Sequence, residues 1–349
     1  MPATGHFKGR KAVRWGILGC GDVTERKSGP GFSKAARSEL VAVMRRNGTL
    51  AADYARRHGV ARSYDSAAAL IADPEVDAIY IATPPDSHCE YALAAAAAGK
   101  PALVEKPMAR NAAECDRMVE AFDRADLPLF VAYYYRRLPC FVRVGEMLAG
   151  GELGRVTGVT YRMAEPHHRR GAPWRVSAAI AGAGHFLDVG SHALDLLDHL
   201  LGPLQEVEGK AANLASDYDV EDTVALTFRA PGGALGSMMW NFASAAHDDL
   251  MQLVGTEGEL SFPMYTERPL VLRTSEGSRE IELPFPEHVA QPFIQSVVDD
   301  LLGVGSCPVT GRDARRTSQV MDTVLDAYYG GRRDAFWERP GTWPGRRTR

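Results

Sequence analysis

From Val13 to Val131 the apolar residues fall in short runs, Val13–Leu18, Leu40–Met44, Ala78–Ala82, Ala102–Glu105 and Leu129–Ala132. Between them lie longer stretches with apolar positions at helical spacing, among them Leu50–His58 and Ser87–Ala98. Short apolar runs predict buried strands, and strands separated by helices predict right-handed βαβ units. The first part of the chain therefore reads as a doubly wound α/β domain with a parallel sheet.

After Tyr133 the pattern changes. Phe141–Ala149 predicts a helix, Arg155–Met163 a strand and, after a Gly-rich segment, Phe186–Leu201 a second helix. Strand-like runs then follow in close succession at Val207–Ala212, Thr223–Arg229, Ala234–Phe242, Met251–Gly255, Leu270–Thr274 and Ile281–Leu283. Gly and Pro turns without intervening helices favour an antiparallel or mixed sheet. Helices near Pro292–Leu302 and Gly311–Tyr329 close this part, and the Pro/Gly/Arg-rich end from Arg339 is expected to be loosely ordered. The expected division is a dinucleotide-binding domain over 1–131, an α+β domain over 132–338 and a tail over 339–349.

Composition narrows the partners. With 349 residues, a net charge of -4 and 45% hydrophobic residues, the chain suits two globular domains and has no electrostatic reason to seek nucleic acid or an anionic membrane. The first residues carry no apolar run before Val13 and no stretch is long enough to span a bilayer, so a cytoplasmic protein is expected. Five scattered cysteines without metal spacing favour reduced thiols and no metal site.

The first run ends in Gly19-Cys20-Gly21-Asp22-Val23-Thr24. Two glycines at a strand exit allow a tight turn and bring backbone amides against a pyrophosphate, and small Thr24 permits close helix packing. The second run ends in Arg45-Arg46, where an NAD site carries an acid for the ribose 2′-hydroxyl. A guanidinium there suits a 2′-phosphate, so NADP is favoured with NAD possible; the bland alternative is a solvated loop. Thr83-Pro84-Pro85-Asp86-Ser87-His88 and Glu105-Lys106-Pro107 follow later strands, where ligands lie in parallel sheets. An ammonium at Lys106 beside an oxidised nicotinamide is disfavoured, which makes proton exchange near neutrality available to it. The other reading is a surface lysine.

In the second part, Asp188, His192, Asp195 and His199 form one polar stripe of the expected helix. Asp195 and His199 read as its wet face. Asp188 and His192 stand in the first turns beside Gly182 and Gly184, where a carboxylate and an imidazole can exchange a proton with a substrate hydroxyl.

Together GILGCGDV, ATPPDSH, Glu105-Lys106-Pro107, EMLAGGELGRV, DVGSH, VEDTVALTF and LVGTEGEL resemble the Gfo/Idh/MocA oxidoreductase family over nearly the whole chain. The resemblance implies a Rossmann domain joined to a domain with a large open mixed sheet, and a homodimer or homotetramer. It implies hydride transfer between nicotinamide C4 and a carbinol or carbonyl carbon of a sugar, cyclitol or similar polyol, with Lys106, Asp188 and His192 as the catalytic trio. His192 would be the acid/base, Asp188 would orient it, Lys106 would assist proton transfer and position substrate, and Glu105 would contact the nicotinamide ribose; a cis peptide bond before Pro107 is also implied. Asp22, Val23, Thr83, Pro84, Pro85 and His88 would border the cofactor. Trp174 and Arg175 suit a sugar ring and its hydroxyls or a carboxylate, although a core tryptophan is an equal reading of Trp174. Arg136, another expected substrate contact, follows Tyr133-Tyr134-Tyr135 where relatives often have Asn before the Arg. A wall of tyrosines would favour a less polar dihydrodiol. Two further alternatives keep the fold: bound dinucleotide used for glycoside cleavage or elimination, and a non-catalytic sensor.

Overall fold

The computed structural model describes residues 2–166 and 173–347. Its first sheet is built from β1 (Val13–Leu18), β2 (Ser38–Met44), β3 (Arg62–Tyr64), β4 (Ala78–Ile81), β5 (Ala102–Val104) and β6 (Leu129–Val131). All pairings are parallel in the order β3-β2-β1-β4-β5-β6. This is the strand order of a dinucleotide-binding fold, whose topology reverses between β1 and β4. Strands β4 and β5 and the edge strand β6 are buried at every position, as expected where helices cover both faces. The covering helices include α1 (Asp22–Arg26), α2 (Gly29–Lys34), α3 (Gly48–His58), α4 (Ala67–Ala72), α5 (His88–Ala97) and α6 (Ala112–Arg124). Ser28-Gly29-Pro30-Gly31 splits α1 from α2 because Pro30 is tolerated only in the first turn of a new helix. The three-residue β3 had no legible run of its own.

The second sheet has eight strands: β7 (Val156–Pro166), β8 (Gln205–Ala212), β9 (Thr223–Arg229), β10 (Leu235–Ser244), β11 (Asp248–Gly255), β12 (Gly258–Phe262), β13 (Leu270–Thr274) and β14 (Gly277–Ile281). Their order is β14-β13-β12-β11-β7-β10-β9-β8, mixed because β7 and β10 run parallel while the other pairs are antiparallel. The last strand covers Gly277–Ile281 rather than the expected Ile281–Leu283: the turn after Thr274 fixes a short hairpin with Thr274 opposite Gly277. One face alternates Val159, Tyr161 and Met163 of β7 with Met238, Trp240 and Phe242 of β10 in a buried layer. The opposite face is exposed and carries Leu235, Met239 and Val254. Helices α7 (Pro139–Ala149), α8 (Ala178–Ala181) and α9 (Ser191–Leu201) belong to this part. On the buried side, Phe186 packs edge-on against Trp240 at 4.9 Å.

Contacts divide the chain into two units, and the division departs from the expected boundary after residue 131. The first holds residues 1–109, 113–138 and 286–315; the second holds 110–112, 139–285 and 316–349. Helix α10 (Gln291–Leu301), expected to close the second domain, buries Phe293, Ile294, Val297, Val298 and Leu301 in the apolar core of the first. The amino-terminal segment is tied to it: Gly5 N–H donates to the Asp300 carbonyl at 2.9 Å, and Phe7 N–H to the Leu301 carbonyl at 2.6 Å. Helix α11 (Gly311–Tyr329) begins in the first unit and continues into the second. The tail is also more ordered than its composition predicts. Trp343 is buried on Tyr329 with ring centroids 4.8 Å apart, and its Nε1–H donates to the Phe336 carbonyl at 2.9 Å. Two indole and phenol rings supply a burial that the Pro/Gly/Arg count conceals. All five cysteines are buried. No described helix is long and apolar enough to cross a membrane.

Candidate active site

In the first unit, the chain leaving β1 turns at Gly19, whose φ is +92°. A Cβ there would lie 2.7 Å from Thr83 Cγ2 and 2.8 Å from Thr83 N, so glycine is required by conformation and by the closeness of the β4 exit. Gly21 differs: its Cβ would meet only the Gly19 carbonyl oxygen, at 4.0 Å. The space is open to a ligand's phosphates. Asp22 and Val23 open α1, where the first amides have no acceptor within the helix. Thr24 is buried and closes the turn, its Oγ1 donating to the Gly21 carbonyl at 2.8 Å. This backbone cradle fits a nicotinamide dinucleotide.

Arg45 and Arg46 are exposed at the end of β2, and neither forms an ion pair among the described residues. Burial pushes the Cys20 thiol up to about 11, and the Arg45 charge counters part of that rise. At the β4 exit, Ser87 Oγ donates to Thr83 Oγ1 at 2.7 Å, and Pro84 leads into a tight turn over Pro85–Ser87. His88 is 1% exposed, with Nε2 2.7 Å from the Thr83 carbonyl and Nδ1 3.1 Å from the Pro107 carbonyl. The expectation that it contacts cofactor is therefore corrected: both ring nitrogens face protein carbonyls, and His88 ties the β4 exit to the β5 exit. Glu105 is held from below by the buried Tyr80 hydroxyl and from its own chain by the Lys106 amide, 3.1 Å from Oε2. Lys106 is half-buried, and the Lys106–Pro107 peptide bond is cis, as the resemblance implied.

Arg136 is not placed as expected. It is 4% exposed and its Nη1 donates to the Pro308 carbonyl at 2.9 Å, binding the β6 exit to the segment after α10. Tyr133 and Tyr135 are buried, which leaves Tyr134 alone half-exposed and removes the tyrosine wall.

In the second unit, Gly182 has φ +87° and would drive a Cβ to 2.4 Å from the Arg110 carbonyl; one at Gly184 would stand 2.3 Å from the Glu221 carbonyl. These close approaches set the start of the segment carrying Asp188 and His192. The segment is not the uniform helix expected: Phe186–Gly190 forms a π-helical turn, and α9 begins only at Ser191. A wider turn rotates the residues after it, and such turns concentrate at functional sites. Asp188 is half-buried, its Oδ2 accepting from Arg175 Nε at 3.0 Å. The Arg175 guanidinium lies 4.3 Å from the Trp174 ring, so Trp174 is a half-buried platform rather than core. His192 is 3% exposed, with Tyr265 6.4 Å away ring to ring. The Tyr265 hydroxyl donates to the Val189 carbonyl inside the π-helical turn. Asp195, expected on the wet face, is fully buried, whereas His199 is exposed. Asp195 shares the buried face of α9 with His192, three residues earlier. Lys106 thus belongs to the first unit, and Asp188 and His192 to the second.

Sequence reasoning missed Tyr80 and Tyr265, which hold Glu105 and the π-helical turn. Tyr80 was legible as the one hydroxyl in the otherwise apolar Ala78–Ala82 run; Tyr265 lies far along the chain from Val189 and had no local signal.

A glycine cradle at the switch point of a parallel sheet, with a lysine and a carboxylate held at a neighbouring strand exit, defines a dinucleotide-binding oxidoreductase. A family model described as "Oxidoreductase family, NAD-binding Rossmann fold" matches residues 13–133, and one described as "GFO/IDH/MocA C-terminal domain" matches residues 141–261. "Oxidoreductase P35" of Formosa agariphila is 36% identical over 318 residues, covering 89% of this chain and 97% of the relative. The 1,5-anhydro-D-fructose reductase of Ensifer adhaerens is 29% identical over 308 residues, 86% of this chain and 91% of that protein. The solved structure of a levoglucosan dehydrogenase in complex with NADH and levoglucosan has the same fold, with a TM-score of 0.82 at 23% identity, covering 90% of this chain and 96% of that one. The chain belongs to the Gfo/Idh/MocA oxidoreductase family. It is an NAD(P)-dependent oxidoreductase acting on CH–OH groups.

Proposed function

We propose that this chain moves a hydride between nicotinamide C4 and a carbinol or carbonyl carbon of a sugar, cyclitol or similar polyol, with NADP preferred to NAD. The observation that carries the reading is the Gly182–His192 segment, built to present a half-buried carboxylate and a nearly buried imidazole beside an Arg175–Trp174 platform. The names of the anhydrofructose reductase and the levoglucosan dehydrogenase supply the sugar class.

When bound, the nicotinamide supplies the hydride acceptor or donor. His192 takes the hydroxyl proton at its ring nitrogen as the alcohol is oxidised, and returns it in the reverse direction. Asp188 orients that imidazole, Lys106 positions substrate and assists the proton, and Glu105 holds the nicotinamide ribose. Trp174 offers its face to the apolar side of a sugar ring, while Arg175 donates to hydroxyls. Arg45, supported by Arg46, meets the 2′-phosphate; two guanidinium groups with no ion pair among the described residues favour this over a mere solvated loop. The protein is proposed to be cytoplasmic and to associate as a homodimer or homotetramer through the exposed sheet face.

Nicotinamide absorbance, followed with NADPH, NADP+, NADH and NAD+ across neutral sugars, cyclitols, diols and carbonyl compounds, tests this directly. Turnover confined to polyols and faster with the phosphorylated cofactor is expected. Turnover of a non-sugar diol alone, or of none, would sink the substrate class.

A further inference from the structure

The loop that launches the Asp188–His192 segment is gripped at both ends by buried polar groups that the chemistry above does not use. The Gly182 carbonyl accepts from Arg332 Nη1 at 2.8 Å, and the Gly184 amide donates to both Glu221 carboxylate oxygens, at 3.0 and 3.1 Å. Glu221 accepts a third hydrogen bond, 2.5 Å long, from the Tyr329 hydroxyl. Arg332 is locked in turn: Nε bonds Asp322 at 2.7 Å, Nη2 bonds the Arg110 carbonyl at 2.8 Å, and the guanidinium lies 4.9 Å from the Tyr329 ring. Glu221 and Tyr329 are fully buried and Arg332 is 1% exposed.

We propose that Glu221 is a positioning residue of the hydride-transfer site: as a carboxylate it holds the Gly184 amide, and through it the π-helical turn that aims Asp188 and His192. The proposal rests on the roles given above to those two residues. Taking a carboxylate out of water is costly, and a neutral or apolar residue would serve packing alone better. What the carboxylate adds is acceptor-only geometry on two oxygens, which matches the Gly184 amide and the Tyr329 hydroxyl at once. Protonation turns one oxygen into a donor and breaks that match.

The switch between the two forms falls in a working range. Burial pushes the Glu221 carboxyl up to about 7, against the Tyr329 hydrogen bond and the Arg332 charge, which pull it down. The other titratable groups around it are Tyr328 on α11, Asp222 beside it in the chain and His185 on the loop it holds. Below the midpoint the grip loosens; above it the loop is held.

The test uses the full-length protein with NADP+ added, glycine-labelled for the Gly184 amide and histidine-labelled for the His192 ring, and read by NMR across pH 5–9. Gly184 and His192 resonances should share a transition near pH 7. Glu221→Gln should abolish that shared transition, and Tyr329→Phe should move it to higher pH because a bond that favours the carboxylate is lost. On a substrate from the absorbance panel, Glu221→Gln should lower kcat about tenfold while the KM for cofactor stays within about twofold. Identical transitions in all three proteins, or a Gly184 transition that the His192 ring ignores, would overturn the proposal. Should Glu221→Gln fail to fold, Tyr329→Phe alone decides. Full kcat in Glu221→Gln beside a dead His192→Ala would defeat the latch and spare the catalytic assignment; an active His192→Ala would defeat the assignment itself.

Discussion

At the scale of single residues, charge and reach set what each side chain can do. The Arg45 guanidinium forms no ion pair among the described residues, and the proposed NADP preference gives it a 2′-phosphate to meet. Arg45→Asp should weaken NADPH binding about tenfold or more, the worth of one to two charge-assisted hydrogen bonds, and leave NADH binding almost unchanged. Fluorescence titration of both cofactors measures this, and equal losses would remove the NADP preference. Lys106→Ala and His192→Ala should each reduce kcat by about a hundredfold or more in steady-state assays. Near-normal rates in both would refute their assigned roles. Glu25 shows how a local pair enters stability. Hydrogen bonds from Arg57, and then from His58, hold its carboxyl down at about 2. The folded value lies below the ordinary carboxylate value, so the stabilisation is present above about pH 4 and fades as pH falls toward 2. Glu25→Gln should flatten the acid limb of a denaturation series in that window.

At the scale of elements, the strands were legible and their partners less so. Apolar runs located β1, β2, β4, β5 and β6 to within a few residues, because strands covered on both faces need unbroken hydrophobicity. The short β3 and β12 escaped notice, since their few residues take their pairing from longer neighbours. The cradle of Gly19, Gly21 and Thr24 could be read because Gly19 must turn with a positive φ against the β4 exit, and Gly21 leaves the space that a pyrophosphate would fill. His88 and Arg136 were misread for one shared reason: a polar residue looks alike in sequence whether it faces a ligand or a buried carbonyl. The π-helical turn was invisible to a stripe counted at ordinary helical spacing. For α10, position along the chain misled and burial corrects it. Ile294→Ala should destabilise the protein by about 2–5 kcal/mol in chemical denaturation, the range for emptying a core site. If α10 did not pack in the first core, the loss would be well under 1 kcal/mol.

At the scale of the whole molecule, one sheet face carries Leu235, Met239 and Val254 into solvent. Scattered apolar residues are normal on a surface, but a row on a broad sheet is a natural surface for a second copy. Replacing Leu235 and Met239 together by Glu should convert the proposed homo-oligomer to monomer in light scattering, with the fold intact by circular dichroism. A wild-type protein that is already monomeric would end that part of the reading.

The return of residues 286–315 to the first unit has a consequence for how the protein is made. A ribosome releases all six strands of the nucleotide-binding sheet early, yet α10, which completes their hydrophobic core, begins only 160 residues after β6 ends. At about 5–20 residues per second that interval lasts roughly 8–32 seconds. The nascent chain must spend it with an unfinished apolar surface, open to chaperones, and cannot close its first core until α10 has been made.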